Sequence, residues 1–88
     1  MCRNIRVLHN FAPPTTPEEI RAAALQFVRK VSGLQKPPQA DLAAFDAAID
    51  AVTAATTTLL ESLTSRGTVR TREGEREKAQ RRWQMRKM

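Results

Sequence analysis

The chain has 88 residues, 27% of them charged, and a formal net charge of +6. That length holds one domain with a small core, burying roughly 60% of the surface an unfolded chain exposes. Cys2 is the only cysteine, which excludes an internal disulfide and suits a reducing compartment.

No charged leader followed by an apolar run opens the chain, and no stretch holds the ~18 consecutive apolar residues of a membrane span. A cytoplasmic protein with no membrane partner is therefore expected. The charge is uneven. Residues 1–36 carry +4, residues 37–65 carry −4 and residues 66–88 carry +6. Basic arm, acidic middle and basic tail are three separate electrostatic objects. There is no internal repeat.

In chain order, residues 3–11 alternate, with Ile5, Val7, His9 and Phe11 on one side and Asn4, Arg6, Leu8 and Asn10 on the other. The pattern predicts an extended segment with one mostly apolar face. A lone strand cannot make a sheet, so it must lie along the helices or pair with another chain. Pro13-Pro14 closes it in a stiff corner.

The first helix is well punctuated. Thr16 suits the N-cap, Pro17 the first helical position, and Glu19 completes a capping box. Ile20, Ala23, Ala24, Phe27, Val28 and Val31 form one apolar stripe, and Gly33 is placed for a left-handed stop.

Residues 34–38 are of a length that joins antiparallel helices. A second helix is expected from about Pro38–Asp41 to Ser65. Its seam, Leu42, Phe45, Ile49, Val52, Thr56, Leu59 and Leu63, alternates by three and four. Phe27, Phe45, Ile49 and Val52 are expected to be buried together between the two helices. At ~1.5 Å per residue this helix outruns the first by about 13 Å. Its far end near Leu59 and Leu63, or its start near Leu42, then needs cover from the arm, the tail or a second copy, so self-association is expected. Residues 66–88 predict a frayed, highly charged helix after a flexible joint, with Glu73-Arg76 and Glu77-Arg81 at supporting spacings.

The fold class follows: all-α, an antiparallel helical hairpin with an extended N-terminal arm and a basic, partly helical C-terminal tail. The hairpin and its arm occupy residues 1–65 and the tail residues 66–88.

The opening Met1-Cys2-Arg3-Asn4-Ile5-Arg6-x-Leu8-His9-Asn10-Phe11-x-Pro13-Pro14, with Glu18-Glu19-Ile20-Arg21 through Val31-Ser32-Gly33, resembles a bacterial family catalogued as domain of unknown function 2277. Lys36-Pro37 and Ala44-Phe45-Asp46-Ala47-Ala48 fit the same pattern. The resemblance covers about residues 1–65, with a looser tail, and implies no reaction. It draws attention to Cys2, Arg3, Asn4, Arg6, His9 and Asn10, the polar residues of that opening.

These six make the first candidate cluster. Arg3 and Arg6 would favour a Cys2 thiolate, yet a catalytic thiol needs a positioned base, so an inert thiol is the plainer expectation. His9 would ordinarily dock the arm by a hydrogen bond. Cys2 and His9 supply two metal ligands where a closed zinc site needs four, so no metal or cofactor is expected. Asp46 and Asp50 read as solvated helix surface, with the Arg-bearing arm as a partner. There is no phosphate-binding glycine loop, nucleophile elbow or paired-cysteine motif.

The second candidate is the tail. Arg70, Arg72, Arg76, Arg81, Arg82, Trp83 and Arg86 combine cations for phosphates with a ring for base stacking, although Glu73, Glu75 and Glu77 dilute the field. The function expected is therefore non-catalytic interaction with a protein partner or nucleic acid. The alternative is an enzyme or metal-binding protein using Cys2, His9 and the nearby Arg and Asn.

Overall fold

A computed structural model describes residues 5–64 and 67–87. The described residues are all-α: α1 spans Pro17–Ser32, α2 spans Leu42–Ser62 after a single 3-10 turn at Gln39–Asp41, and α3 spans Arg72–Lys87.

The ends of α1 follow its sequence signals. Thr16 accepts from the Glu19 amide at 3.2 Å while the Glu19 carboxylate accepts from the Thr16 amide at 2.9 Å. Together they satisfy two amides that the helix itself leaves without partners. Gly33 stops the helix at φ 73°, a left-handed conformation that glycine adopts without steric penalty.

α1 and α2 form the hairpin. Arg21 donates to Asp50 at 2.7 Å. Both residues lie roughly two to three turns from the bend, the register of an antiparallel pair. Asp50 thus meets Arg21 on the facing helix, not an arginine of the arm. The core is small: Ala24, Val28, Phe45 and Ile49 are buried against one another, with Leu25, Leu34, Ala48 and Val52 packed around them.

Phe27 does not join it. Phe27 is 46% exposed and Val31 67% exposed, against 5% for Val28. α1 meets α2 along Ile20, Ala24 and Val28, a narrow i, i+4, i+8 row. Phe27 and Val31 sit on the flank of that row, beyond the reach of a single neighbouring helix. Cover from a second side is what a two-helix hairpin lacks.

α2 ends at Ser62, three residues short of the Ser65 expected, and Ser65 lies outside the described residues. Three of its hydroxyls bond locally: Thr53, Thr57 and Ser62 donate to the carbonyls of Ile49, Thr53 and Thr58, each four residues back. Leu42, Leu59 and Leu63 remain exposed, so the ends of the α2 seam are not covered by α1. Over its most apolar stretch, the segment Gln39–Ser62 has a mean hydropathy of 1.2, and it is long enough to cross a bilayer by length and composition alone.

The arm returns to the tail, not to another strand. Arg70 donates its amide to the Asn10 carbonyl at 2.8 Å, and Ala12 donates to the Arg70 carbonyl at 2.9 Å, closing one parallel bridge between Phe11 and Arg70. Asn10 holds φ 64° there, a left-handed conformation that asparagine tolerates better than most residues. Beyond this anchor and the contact of its first residue, Arg72, with Glu19 of α1, α3 packs against neither helix of the hairpin.

Candidate functional site

Arg72 opens α3 and ties three segments together. Its Nε donates to Glu19 Oε2 at 2.9 Å and its Nη2 to Glu19 Oε1 at 2.6 Å, a two-point grip on the carboxylate. Nη1 reaches the Pro13 carbonyl at 2.9 Å and Nη2 the Pro14 carbonyl at 3.1 Å. The guanidinium also lies 5.4 Å from the centre of the Phe11 ring, within cation–π range. A planar fork of five N–H donors makes this possible where a lysine ammonium would not.

Glu19 thereby serves two masters, the α1 cap and the α3 root. The Arg72 hydrogen bonds, with the Thr16 amide adding to them, hold its carboxyl well below the usual range, at about 2. Arg6 stands 3.8 Å away, at the edge of ion-pair distance.

Between the arm and the first turns of α3 lies a half-open cleft of 520 Å³. Val7, Leu8, Phe11 and Ala79 give it apolar walls, while Arg6, Arg72, Arg76 and Arg82 supply cations and Glu19 and Glu75 acids. On α3, residues 72, 75, 76, 79 and 82 recur at helical spacing, so one face of the helix points at the arm. A second, more open cleft of 430 Å³ lies where His9, Asn10 and Phe11 approach Leu60, Glu61 and Leu63 of α2 and its end.

The two candidate clusters of the sequence fare differently. Cys2, Arg3 and Asn4 lie outside the described residues. Arg6 faces the first cleft, whereas His9 and Asn10 line the second. His9 donates from Nε2 to the Thr64 carbonyl at 3.3 Å, and its own carbonyl accepts from Arg70 at 2.8 Å. Asn10 donates to the Thr68 carbonyl at 3.3 Å. Both clasp the segment leading into α3. Among the described residues, no three of His, Cys, Asp and Glu stand close enough to hold a metal.

In the tail, Arg70 and Arg72 are half-buried and engaged in docking. Arg76, Arg81, Arg82, Trp83 and Arg86 are exposed along α3. The pairs at supporting spacing give way to another: Lys78 meets Glu75 at 3.2 Å.

A family model described as "Uncharacterized conserved protein (DUF2277)" matches residues 1–78. The chain belongs to this family. The DUF2277 match runs past residue 65 and takes in Arg70, Arg72 and Arg76 as well as the arm that they meet. Arg82, Trp83 and Arg86 lie beyond it. No curated protein and no solved structure matches the chain.

Reading the chain alone missed Glu19 as the partner of Arg72. Its capping-box position accounted for one carboxylate role and masked the other. Nothing in the spacing of residues 19 and 72 signals their contact. Val7, Leu8 and Ala79 were likewise unremarked as cleft walls, because they come from segments distant in the chain.

Proposed function

We propose that this is a non-catalytic binding protein whose projecting helix α3 engages nucleic acid through phosphate contacts. The observation that carries this is the state of α3. Past Arg72 the helix lies apart from α1 and α2, and it presents Arg76, Lys78, Arg81, Arg82 and Arg86 with Trp83 among them. Such a helix has no packing role that would account for its charge. A row of cations neutralises phosphates and releases their counterions, and an exposed ring accepts a base.

Arg70 and Arg72 are left out of this interface, since the arm engages them. With five exposed cations on α3 and Lys78 partly matched by Glu75, log affinity for a duplex should fall against log salt with slope about −3 to −4.5. Trp83→Ala should weaken single-strand binding by about 1–3 kcal/mol and leave duplex binding nearly unchanged. Anisotropy titrations at several salt concentrations read both effects. Absence of binding at low salt would overturn the proposal.

α2 is read here as the hairpin's core helix, not as a membrane span, and the protein as cytoplasmic. Asp46 and Asp50 lie at the middle of Gln39–Ser62, where an acid costs about 2.5–3.5 kcal/mol in a bilayer. The uncovered side chains of Phe27, Val31, Leu59 and Leu63 support association with a second copy as well. Velocity sedimentation over a wide concentration range tests this, and a monomer at every concentration would remove it.

A further inference from the structure

The cleft between the arm and α3 carries more positive charge than its own acids absorb. Glu19 is fully occupied: it accepts twice from Arg72 and once from the Thr16 amide. Arg72 makes four hydrogen bonds in turn, to Glu19, Pro13 and Pro14. Glu75 faces Lys78. Among the described residues Arg76 and Arg82 meet no carboxylate, and Arg6 has only its 3.8 Å approach to Glu19. Three guanidiniums therefore edge a cleft whose walls are Val7, Leu8, Phe11 and Ala79.

Such a combination selects a ligand class. Low-dielectric walls concentrate the field of the cations, which favours an anion over water. Guanidinium forks match the paired oxygens of a phosphate group. The apolar walls call for a body that gains by leaving water, and 520 Å³ lies within the range of small-molecule sites. A bare inorganic anion would leave those walls wet.

We propose that the cleft binds a phosphate monoester carrying a planar or apolar body, of nucleoside monophosphate size. Arg6, Arg76 and Arg82 take the phosphate, and Val7, Leu8 and Ala79 take the body. Arg72 is a positioning residue that holds the arm against α3. The same phosphate chemistry belongs to a free nucleotide and to the phosphorylated end of a strand. The site stands on the geometry of the arm and does not depend on α3 gripping a strand along its length.

Calorimetry with the full chain tests it, using AMP, adenosine and inorganic phosphate at low salt. AMP should bind at least tenfold more tightly than either fragment. Arg76→Gln with Arg82→Gln should lower AMP affinity tenfold or more, whereas Lys30→Gln with Lys36→Gln, an equal loss of charge at positions that do not line the cleft, should change it less than twofold. AMP binding no better than inorganic phosphate, or unchanged in the double variant, would overturn the proposal.

Val7→Asp separates this site from the strand-binding surface, because it puts a carboxylate in the cleft at a half-exposed position away from α3. It should abolish AMP binding while a 20-nucleotide strand still binds within threefold. If AMP fails to bind while the long strand binds, the cleft proposal falls alone; if AMP binds and the strand does not, the reading of α3 falls alone. A 5′-phosphorylated tetranucleotide that outcompetes both AMP and its 5′-hydroxyl counterpart identifies a strand end as the ligand. Equal or tighter binding of AMP identifies a free nucleotide.

Discussion

In the hairpin, Ala24 and Val28 of α1 meet Phe45 and Ile49 of α2 by apolar burial, and α1 ends where its own sequence says it should. At the arm–tail junction the contacts are polar. Two guanidiniums, three backbone carbonyls, one carboxylate and a single backbone bridge join residues 9–19 to residues 70–72. The first region resists perturbation through the exclusion of water, which is non-directional and spread over many atoms. The second depends on the geometry of a few polar side chains, with Arg72 making the most bonds among them. Loss of a single partner there removes several hydrogen bonds at once, and for that reason the junction should fail separately from the hairpin.

The largest effect expected is in the hairpin. Phe45→Ala should destabilise the protein by about 3–5 kcal/mol, which consumes most of the stability of so small a domain. Phe27→Ala, at a half-exposed ring on the flank, should cost about 1 kcal/mol or less. Chemical denaturation measures both. Equal losses would show that Phe27 belongs to the core after all, or is covered by a second chain.

A smaller effect is expected at the junction. Arg72→Ala should free the arm and the root of α3 while the hairpin keeps its thermal midpoint within a few degrees. Hydrogen exchange at the amides of Ala12 and Arg70 reads the bridge directly, and both should lose protection. Arg72→Lys should rescue little, since an ammonium cannot grip Glu19 at two points and reach both proline carbonyls.

Acid should produce the mildest version of the same release. Glu19 titrates at about 2 when docked against 4.5 when free. A lowered carboxyl contributes stability that is complete above the free value, declines as the pH falls from there, and is gone below the docked value. Protection of the bridge amides should accordingly be constant above pH 5 and decline between about pH 4.5 and 2 in the wild type. Glu19→Gln should show weak protection that is flat across that range. A wild-type profile without that decline would mean that Arg72 holds the arm through Pro13 and Pro14 alone.

The two regions also differ in how far the amino-acid sequence foretold them. Thr16, Pro17, Glu19 and Gly33 announced both ends of α1, because capping is settled within a few residues of the helix end. The apolar periodicity of residues 42–63 announced α2, and the resemblance of the opening string named the family to which the chain belongs. The core was legible only in part. Periodicity marks which side of a helix is apolar, but not how wide a strip its neighbour covers, so Phe27 and Val31 fell on the stripe and outside the interface.

What tertiary structure alone decided is the junction and the cleft. Helix caps and stripes are written at spacings of three and four, whereas Glu19 and Arg72 are brought together across α1, the bend and α2. The side chain of Arg72 is indistinguishable in the sequence from those of Arg76 and Arg82. Its neighbours in space, Phe11, Pro13, Pro14 and Glu19, make it a structural clamp, while Arg76 and Arg82 remain facing an apolar-walled cleft. Local signals determine elements because they act through the backbone's own hydrogen bonds. Which cation is neutralised and which stays available for a ligand depends on where distant carboxylates and carbonyls come to rest.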